Sequence, residues 1–349
     1  MFSSYRAEDV TILLKDITGC IDPLPTAERE RLIQSGHHYS EMLPLEYEPT
    51  EKYLEAYADA LARYAGITAQ ATARLAEQIY AEKGADAALV SLARAGTPIG
   101  ILLKHYIRQR FGADVAHYTI SIIRGRGIDA NAMDYILARH APADVQFVDG
   151  WTGKGAIQRT LAEAAAPYAG LSAGLAVLSD PAYVAEKCGT HEDFLIASSC
   201  LNATVSGLLS RTVLRADLIG SKDFHGAAFY EELHGKDLTY DFIDSVERLF
   251  PPAASPIEEA AAHTSGLAEV ERIAADFGIA DINLVKPGIG EATRVLLRRL
   301  PWKLLVHSTT DEERLGHLYQ LAEEKGVEVA AYPLRNYLAC GLIRTLADN

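Results

Sequence analysis

The stretch VQFVDGWTGKGA, residues 145–156, carries the strongest indication of the fold. It is typical of an apolar strand that ends in an acid and is followed by a glycine-rich loop and a helix, because apolar side chains recur at helical spacing after it. Glycines let backbone N–H groups turn inward and a helix N-terminus attracts anions, so the loop predicts a phosphate site. Thr152 and Lys154 add a hydroxyl and an ammonium, and Asp149 could hold sugar hydroxyls or hydrated Mg²⁺. The alternative is an ordinary strand–turn–helix corner of an α/β fold.

Length and charge narrow the class of protein. The chain has 349 residues, enough for two or three domains, and a formal net charge of -14. Such a surface repels polyanions, so any contact with nucleic acid needs a local basic patch. No secretory signal or membrane-spanning run is apparent, and the four cysteines have no CxxC spacing, so we predict a cytoplasmic protein without a membrane partner. The cysteines are Cys20, Cys188, Cys200 and Cys340.

Changes in composition and hydrophobic pattern along the chain predict four segments. Residues 1–81 contain amphipathic runs at 10–17 and 51–80 and predict a helical segment, whose irregular part could cover a substrate. Residues 82–250 alternate apolar strands with helices, which favours a parallel sheet with helices on both faces. A linker composition marks 251–262, and a second, smaller α/β pattern fills 263–349.

Three loops of the larger unit are expected to share one crevice, because ligands of parallel sheets collect outside the carboxyl ends of the strands. The first loop carries Arg94, the second carries Arg124 and Arg126, and the third is the glycine-rich loop. Each alone could be a solvated turn. Together they predict a phosphate cradle with separate cationic contacts to a second anionic group.

The order strand, RAGT loop, strand, basic loop and DGWTGKG loop resembles the type I phosphoribosyltransferase fold over residues 84–214. The resemblance implies that the chain binds phosphoribosyl pyrophosphate (PRPP) and, with Mg²⁺, transfers phosphoribose to or from an unidentified base in the biosynthesis of a nucleoside-like metabolite. It implies catalytic roles for Arg124, Arg126 and Asp149. The implied substrate-binding residues are Arg94, Ala95, Gly96 and Thr97 at the pyrophosphate, Thr152, Gly153, Lys154 and Gly155 at the 5-phosphate, and Asp149, Gly150 and Trp151 beside them.

Two other interpretations of the larger unit remain open. Cys200 could be the nucleophile of a cysteine hydrolase or protease, with His191 or His225 as base, because a thiol at the start of a helix is activated there. Alternatively, Cys200 and Asn202 line a base pocket, and His225 serves as an acid or base. A catalytically silent nucleotide sensor is the third interpretation, since Gly150 follows Asp149 where the phosphoribosyltransferases have a second acid.

The C-terminal unit resembles the Pelota C-terminal and kink-turn RNA-binding superfamily over residues 267–346. The stretch VKPGIGEATR matches that family's loop and implies RNA contacts from Gly288, Gly290, Glu291 and Arg294. The whole chain resembles a bacterial family of phosphoribosyltransferase-like proteins with a C-terminal Pelota-type domain, associated with tellurium resistance, in which StiP cysteine proteases are also named. The predicted fold is therefore a phosphoribosyltransferase-like α/β sheet, a helical N-terminal segment and a small Pelota-like α/β sandwich. The oligomeric state is not indicated.

Overall fold

A computed structural model describes residues 2–257 and 265–343. Its N-terminal part contains the strands β1 (Thr11–Ile12) and β2 (Lys15–Asp16) and the helices α1 (Thr26–Gln34) and α2 (Glu51–Lys83). The helix predicted at 10–17 is wrong. This stretch contains β1 and β2 instead, and each pairs with a strand distant in sequence. Leu13 donates its N–H to the carbonyl of Thr119, and Lys15 donates to that of His225. Ladder partners distant in sequence outweigh the local helical spacing.

Helix α2 is the longest element, and its 33 residues extend about 50 Å. Its buried face consists largely of small side chains, including Ala69 and Ala73, which let it lie close to the sheet. Gly84 ends the helix with a φ of 62° and donates its N–H to the carbonyl of Tyr80.

The central sheet has seven strands. Six of them are parallel, in the order β1-β4-β3-β6-β7-β8, and the seventh, β5, pairs antiparallel with β4. Helices cover both faces, so the predicted α/β class is confirmed. The remaining elements of this unit, in chain order, are β3 (Ala88–Ala93), α3 (Gly96–Phe111), β4 (Ala116–Ile123), β5 (Gly127–Ile128), α4 (Ala130–Leu137), β6 (Val145–Trp151), α5 (Ala156–Ala165), β7 (Leu175–Ser179), β8 (Lys187–Thr190), β9 (Gly226–Ala227) and α6 (Thr239–Glu247).

Residues 194–214 form short 3-10 turns rather than the strand and helix that their apolar pattern indicates. Short polar side chains bind the local backbone here: Ser206 donates to the carbonyl of Asn202 and Ser210 to that of Arg211. Such bonds compete with regular structure. Leu208 lies in the left-handed region with a φ of 56°, which also interrupts any helix.

The smaller unit is a four-stranded sheet in the order β10-β13-β11-β12 with helices packed on it. The predicted helical end is wrong for residues 339–343, because this buried run pairs with β10 and β11 as a strand. The elements are α7 (Gly266–Asp276), β10 (Val285–Pro287), α8 (Ile289–Arg298), β11 (Pro301–Val306), α9 (Glu312–Lys325), β12 (Glu328–Ala331) and β13 (Ala339–Ile343).

One apolar core runs through both units. Phe194 and Leu195 of the larger unit belong to the same buried cluster as Ile289 and Leu304 of the smaller one. The predicted linker at 251–262 stays a prediction, and residues 258–262 lie outside the described residues. No helix in the described part of the chain is both long and apolar enough to cross a membrane.

Candidate active site

The glycine-rich loop lies at the carboxyl end of β6 as predicted, but it faces the smaller unit. Lys154 donates hydrogen bonds to the main-chain oxygens of Ile282 and Val285, the second at 3.0 Å, and Tyr337 donates its hydroxyl to the oxygen of Gly153. Burial lowers the pKa of Lys154 to about 8, and the positive charge of Lys286 adds to the effect. The cation of this loop is therefore engaged by the chain itself.

Residues predicted for two separate functions meet beside this loop. The guanidinium of Arg294 lies 4.9 Å from the ring centre of Trp151 and 3.4 Å from Glu291. Burial raises the pKa of Asp149 to about 6, although the Gly150 N–H at 2.8 Å and the nearby Arg294 favour its charged form. The strand that leads into the predicted phosphate loop therefore contacts the predicted RNA loop.

Asp193 ties the two units together. Its carboxylate accepts N–H groups from Ile289, at the start of α8, at 2.9 Å and from Leu338 at 2.8 Å. Burial nevertheless raises its pKa to about 6. Gly288 lies against this carboxylate, because an added Cβ would be 3.2 Å from it, whereas a Cβ at Gly290 would be 3.6 Å from the Ser199 hydroxyl.

The cavity at this junction is small. Its volume of about 10 Å³ is enough for roughly one water molecule. Its lining includes Thr152, whose N–H bonds to the carbonyl of Ser179, and the hydroxyl of Ser199. A sugar phosphate does not fit there in this conformation.

The RAGT loop joins β3 to α3. Arg94 donates to the carbonyl of Leu209 at 2.8 Å and lies 3.4 Å from a carboxylate oxygen of Glu46. Ala95 precedes α3, and Gly96 packs so tightly on β6 that an added Cβ would be 2.5 Å from the Val148 oxygen. The buried hydroxyl of Thr97 bonds to that of Thr119 at 2.7 Å.

The basic loop follows β4 and is exposed. Arg126 pairs with Glu41 and also donates to the carbonyl of Leu214 at 3.0 Å. The main-chain N–H of Arg124 donates to the hydroxyl of Tyr39 at 2.8 Å. The N-terminal segment therefore touches this loop, as a covering segment would.

Cys200 is fully buried under α2, where its thiol faces the carbonyl of Ala56 at 3.8 Å. The histidines considered as its base lie elsewhere: His225 bonds to the Ser121 hydroxyl at 2.9 Å, and His191 contacts a different cysteine. Burial also lowers the pKa of His225. Asn202 accepts a hydrogen bond on its main-chain oxygen from Ser206 at 2.7 Å.

Cys188 and His191 form the thiol–imidazole pair that sequence reasoning missed. Cys188 lies in β8, and its sulfur is 3.5 Å from Nε2 of His191, just beyond the strand. Nδ1 of the same ring is 2.7 Å from the main-chain oxygen of Asp180, after β7. The Cys-x-x-His spacing at the end of a strand was the available signal. The orientation depends on Asp180, eight positions before the cysteine.

A second thiol lies in an open cavity. Cys20 is exposed and lines a volume of about 560 Å³ together with His37 and Glu41, whose side chains are 3.9 Å apart. Arg215 also lines this cavity. Cys340, in contrast, is fully buried, and burial raises the pKa of its thiol.

No group of three or more His, Cys, Asp or Glu side chains in the described ranges could hold a metal ion. Mg²⁺ binding at Asp149 is a different case, because Mg²⁺ usually keeps several waters and needs few protein ligands. It stays a prediction.

Comparison with known proteins identifies the family. Residues 3–247 match the family model described as "Tellurite-like stress resistance cysteine protease StiP", and residues 264–345 match the "PELOTA RNA binding domain". The chain is 39% identical over 364 positions to "Cysteine protease StiP" of Acinetobacter baylyi (strain ATCC 33305 / BD413 / ADP1), which covers 98% of this chain and 94% of the relative. The chain belongs to the StiP family.

These matches correct the predicted activity. A PRPP- and Mg²⁺-dependent phosphoribosyltransferase is wrong as the main interpretation, because the family and the relative are described as cysteine proteases. The cysteine hydrolase that the sequence left as an alternative agrees better with them. Strand-end glycine-rich loops occur in α/β proteins of many different functions, so the pattern alone did not determine the activity.

Proposed function

We propose that this chain is a cysteine peptidase with Cys188 as nucleophile and His191 as general base. The observation that carries the proposal is the 3.5 Å contact between the Cys188 sulfur and Nε2 of His191. A thiol within reach of an imidazole that is itself oriented by a third group is the usual arrangement of such a nucleophile. The printed name of the 39% identical relative supports the reaction class.

The hydrogen bonds fix the tautomer of His191. The main-chain oxygen of Asp180 can only accept, so Nδ1 at 2.7 Å carries the proton. Nε2 is then unprotonated in the neutral ring, and it is the ring nitrogen nearer the Cys188 sulfur, at 3.5 Å compared with 3.9 Å for Nδ1. The carbonyl therefore orients the base.

The proposed reaction uses both groups. As the Cys188 sulfur attacks a peptide carbonyl carbon, its proton passes to Nε2 of His191. The C–N bond then breaks, the amine leaves with that proton, and a thioester remains on Cys188. Water hydrolyses the thioester when His191 accepts a proton from it, which releases the acid and restores the thiol.

The thiol is protonated at rest. Burial raises the pKa of Cys188 to about 12, and the negative charge of Asp180 adds to the effect. Proton transfer to His191 must therefore accompany the attack, since no standing thiolate is present. Cys188 is 7% exposed, and the ring of Tyr183 stacks on His191 at 3.8 Å between ring centres.

Replacing three of the four cysteines in turn allows a sharp test. Purified wild type and the variants Cys188→Ala, His191→Gln, Cys200→Ala and Cys20→Ala are incubated with unfolded casein and, separately, with a peptidyl epoxide whose adduct is located by mass spectrometry. We expect Cys188→Ala and His191→Gln to lose hydrolysis and the adduct at residue 188. Cys200→Ala and Cys20→Ala should keep both.

The outcomes test the peptidase activity and the identity of its nucleophile separately. Hydrolysis that is lost only in Cys20→Ala would identify Cys20, in the open cavity beside His37, as the nucleophile. Hydrolysis that is lost only in Cys200→Ala would restore the residue predicted from sequence. Absence of hydrolysis and of any adduct in the wild type would contradict the peptidase itself.

RNA binding by the C-terminal unit is a second proposal, supported by the match to the PELOTA RNA binding domain. Its predicted contacts include Arg294, whose guanidinium lies over Trp151. RNA that takes Arg294 must remove this contact, so a kink-turn RNA should change the emission of Trp151 in the wild type but not in Arg294→Gln. Equal RNA affinity of both proteins without an emission change would place RNA elsewhere, and no binding at physiological salt would contradict the proposal.

A further inference from the structure

A turn at residues 180–184, between β7 and β8, orients the ring of His191. Its first residue supplies the main-chain oxygen bonded to Nδ1 of the ring, and Tyr183 stacks on the ring. Tyr183 has a φ of 56°, and its N–H reaches the main-chain oxygen of Asp180 only at 3.3 Å. Such a conformation persists only where the surrounding structure holds it.

The two carbonyls in the middle of this turn are bonded to the smaller unit. The side-chain amide of Asn336, in the loop before β13, donates to the main-chain oxygen of Pro181 at 2.9 Å. The N–H of Gly266, the first residue of α7, donates to the oxygen of Ala182 at 3.0 Å. Gly266 packs so closely that an added Cβ would be 2.5 Å from the Cα of Ala182. The turn therefore rests on the smaller unit as well as on the central sheet.

Asn336 is itself held by a buried carboxylate. Glu269 of α7 is 5% exposed and accepts the main-chain N–H groups of Asn336, at 2.8 Å, and of the residue before it, at 2.7 Å. Hydrogen bonds to a charged acceptor are the stronger ones. Two residues further on, Leu338 donates its N–H to Asp193 at 2.8 Å. One loop of the smaller unit is thus attached to the chain both before and after His191.

We propose that Asn336 is a positioning residue of the peptidase and that the smaller unit completes the active site. By holding the Pro181 carbonyl, Asn336 fixes the neighbouring Asp180 carbonyl, which keeps the proton of the neutral His191 ring on Nδ1 and leaves Nε2 to accept the thiol proton. A ring without that acceptor takes the other tautomer, which cannot act as the base. This role rests on the proposed peptidase reaction, but the tautomer of His191 is measured without it.

Three variants separate positioning from stability. Asn336→Asp keeps the shape of the side chain but has no donor at pH 8, and Asn336→Ala removes the amide. The matched control is Tyr53→Phe, which removes another side-chain hydrogen bond between the two units, from the Tyr53 hydroxyl to the main-chain oxygen of Leu297 at 2.7 Å. All three variants should melt somewhat below the wild type, because each loses one hydrogen bond.

The tautomer of His191 is read from nuclear magnetic resonance spectra of protein labelled with nitrogen-15 histidine, at pH 8, and His191→Gln identifies the signal by its loss. We expect Nδ1 to carry the proton in the wild type and in Tyr53→Phe, and both Asn336 variants to move to the other tautomer or to a mixture. With unfolded casein as substrate, kcat of the Asn336 variants should fall about tenfold or more while KM stays nearly the same. Tyr53→Phe should keep the wild-type kcat.

The controls give each outcome a meaning. An unchanged tautomer or an unchanged kcat in the Asn336 variants, or an equal loss of kcat in Tyr53→Phe, would overturn the inference. A wild type without hydrolysis would contradict the peptidase and with it the catalytic use of Asn336. The spectra would then still decide whether Asn336 orients His191, so the two failures are distinguishable.

Discussion

The Nζ of Lys154 lies 3.0 Å from the main-chain oxygen of Val285, so the lysine of the glycine-rich loop is a contact between the two units. Replacing it by methionine should lower the free energy of unfolding by about 1–3 kcal/mol, the usual range for a hydrogen bond to a charged group. Urea denaturation measures the change. Lys236→Met is the control, because its ion pair with Glu48 is about half exposed and contributes little. Equal effects of the two variants would contradict the anchoring role.

Two glycine-to-alanine substitutions should change the stability of the protein in opposite directions. A Cβ at Gly66, inside α2, meets nothing within 4 Å, so Gly66→Ala should stabilise the protein by about 0.5–1 kcal/mol. A Cβ at Gly189 would lie 2.3 Å from the Ala71 oxygen of the same helix, so Gly189→Ala should destabilise by about 1–3 kcal/mol or more. Thermal unfolding of both variants tests the close approach of α2 to β8. Tolerance of Gly189→Ala would be inconsistent with that approach.

Stability should depend on pH through His105. Its ring nitrogens lie 2.8 Å from Asp9 and 2.8 Å from Glu247, so the ring is held as a cation. Burial opposes this charge, but the two carboxylates raise the pKa of His105 above its usual value. A raised histidine pKa stabilises fully below about pH 6.5 and loses that contribution as pH rises through the folded-state pKa.

The free energy of unfolding should therefore fall on going from pH 6 to pH 9 in the wild type, and the His105→Gln variant should lack most of this fall. Urea denaturation at several pH values provides the measurement. The exposed His234 supplies the control His234→Gln, which should keep the wild-type slope. A wild-type slope in His105→Gln would exclude the imidazolium as its source.

Tyr183 covers the proposed base and has a φ of 56°, an unfavourable angle for a residue other than glycine. Tyr183→Gly should relieve about 1–2 kcal/mol of backbone strain and lose about 0.5–1.5 kcal/mol of ring stacking, so stability should change little. Access to Cys188 should increase, and iodoacetamide should alkylate it faster, as peptide mapping by mass spectrometry will measure. An unchanged rate would mean that another part of the chain controls access.

Local signals predicted most of the larger unit. The strand and helix around residues 145–165 and the next strand, β7, follow from short apolar runs and glycines, whereas β8 was not predicted. The error at residues 10–17 arose because a two-residue strand is specified by its partners and not by its own spacing. The long turn region at 194–214 was misjudged for a similar reason, since Ser206 and its neighbours bind local backbone.

The site was harder to predict because its parts are far apart in sequence. Lys154 and Val285 are separated by more than a hundred residues, and a glycine-rich loop looks the same whether a phosphate or a carbonyl faces it. The Cys188–His191 pair is local, but its meaning depends on the direction of one carbonyl, that of Asp180. The residue type at a position does not determine the direction in which its main-chain carbonyl points.

Helix α2 touches both units along its length, through Tyr53 bonded to the Leu297 carbonyl, Arg63 bonded to that of Glu313 and Ala71 facing Gly189. An engineered chain cut between the units would leave one flank of this helix and the apolar side chains around Phe194 bare to water. Such a fragment should aggregate and should not keep the structure that the same residues have in the whole chain. The two units are therefore expected to melt in one calorimetric peak, as a single cooperative body.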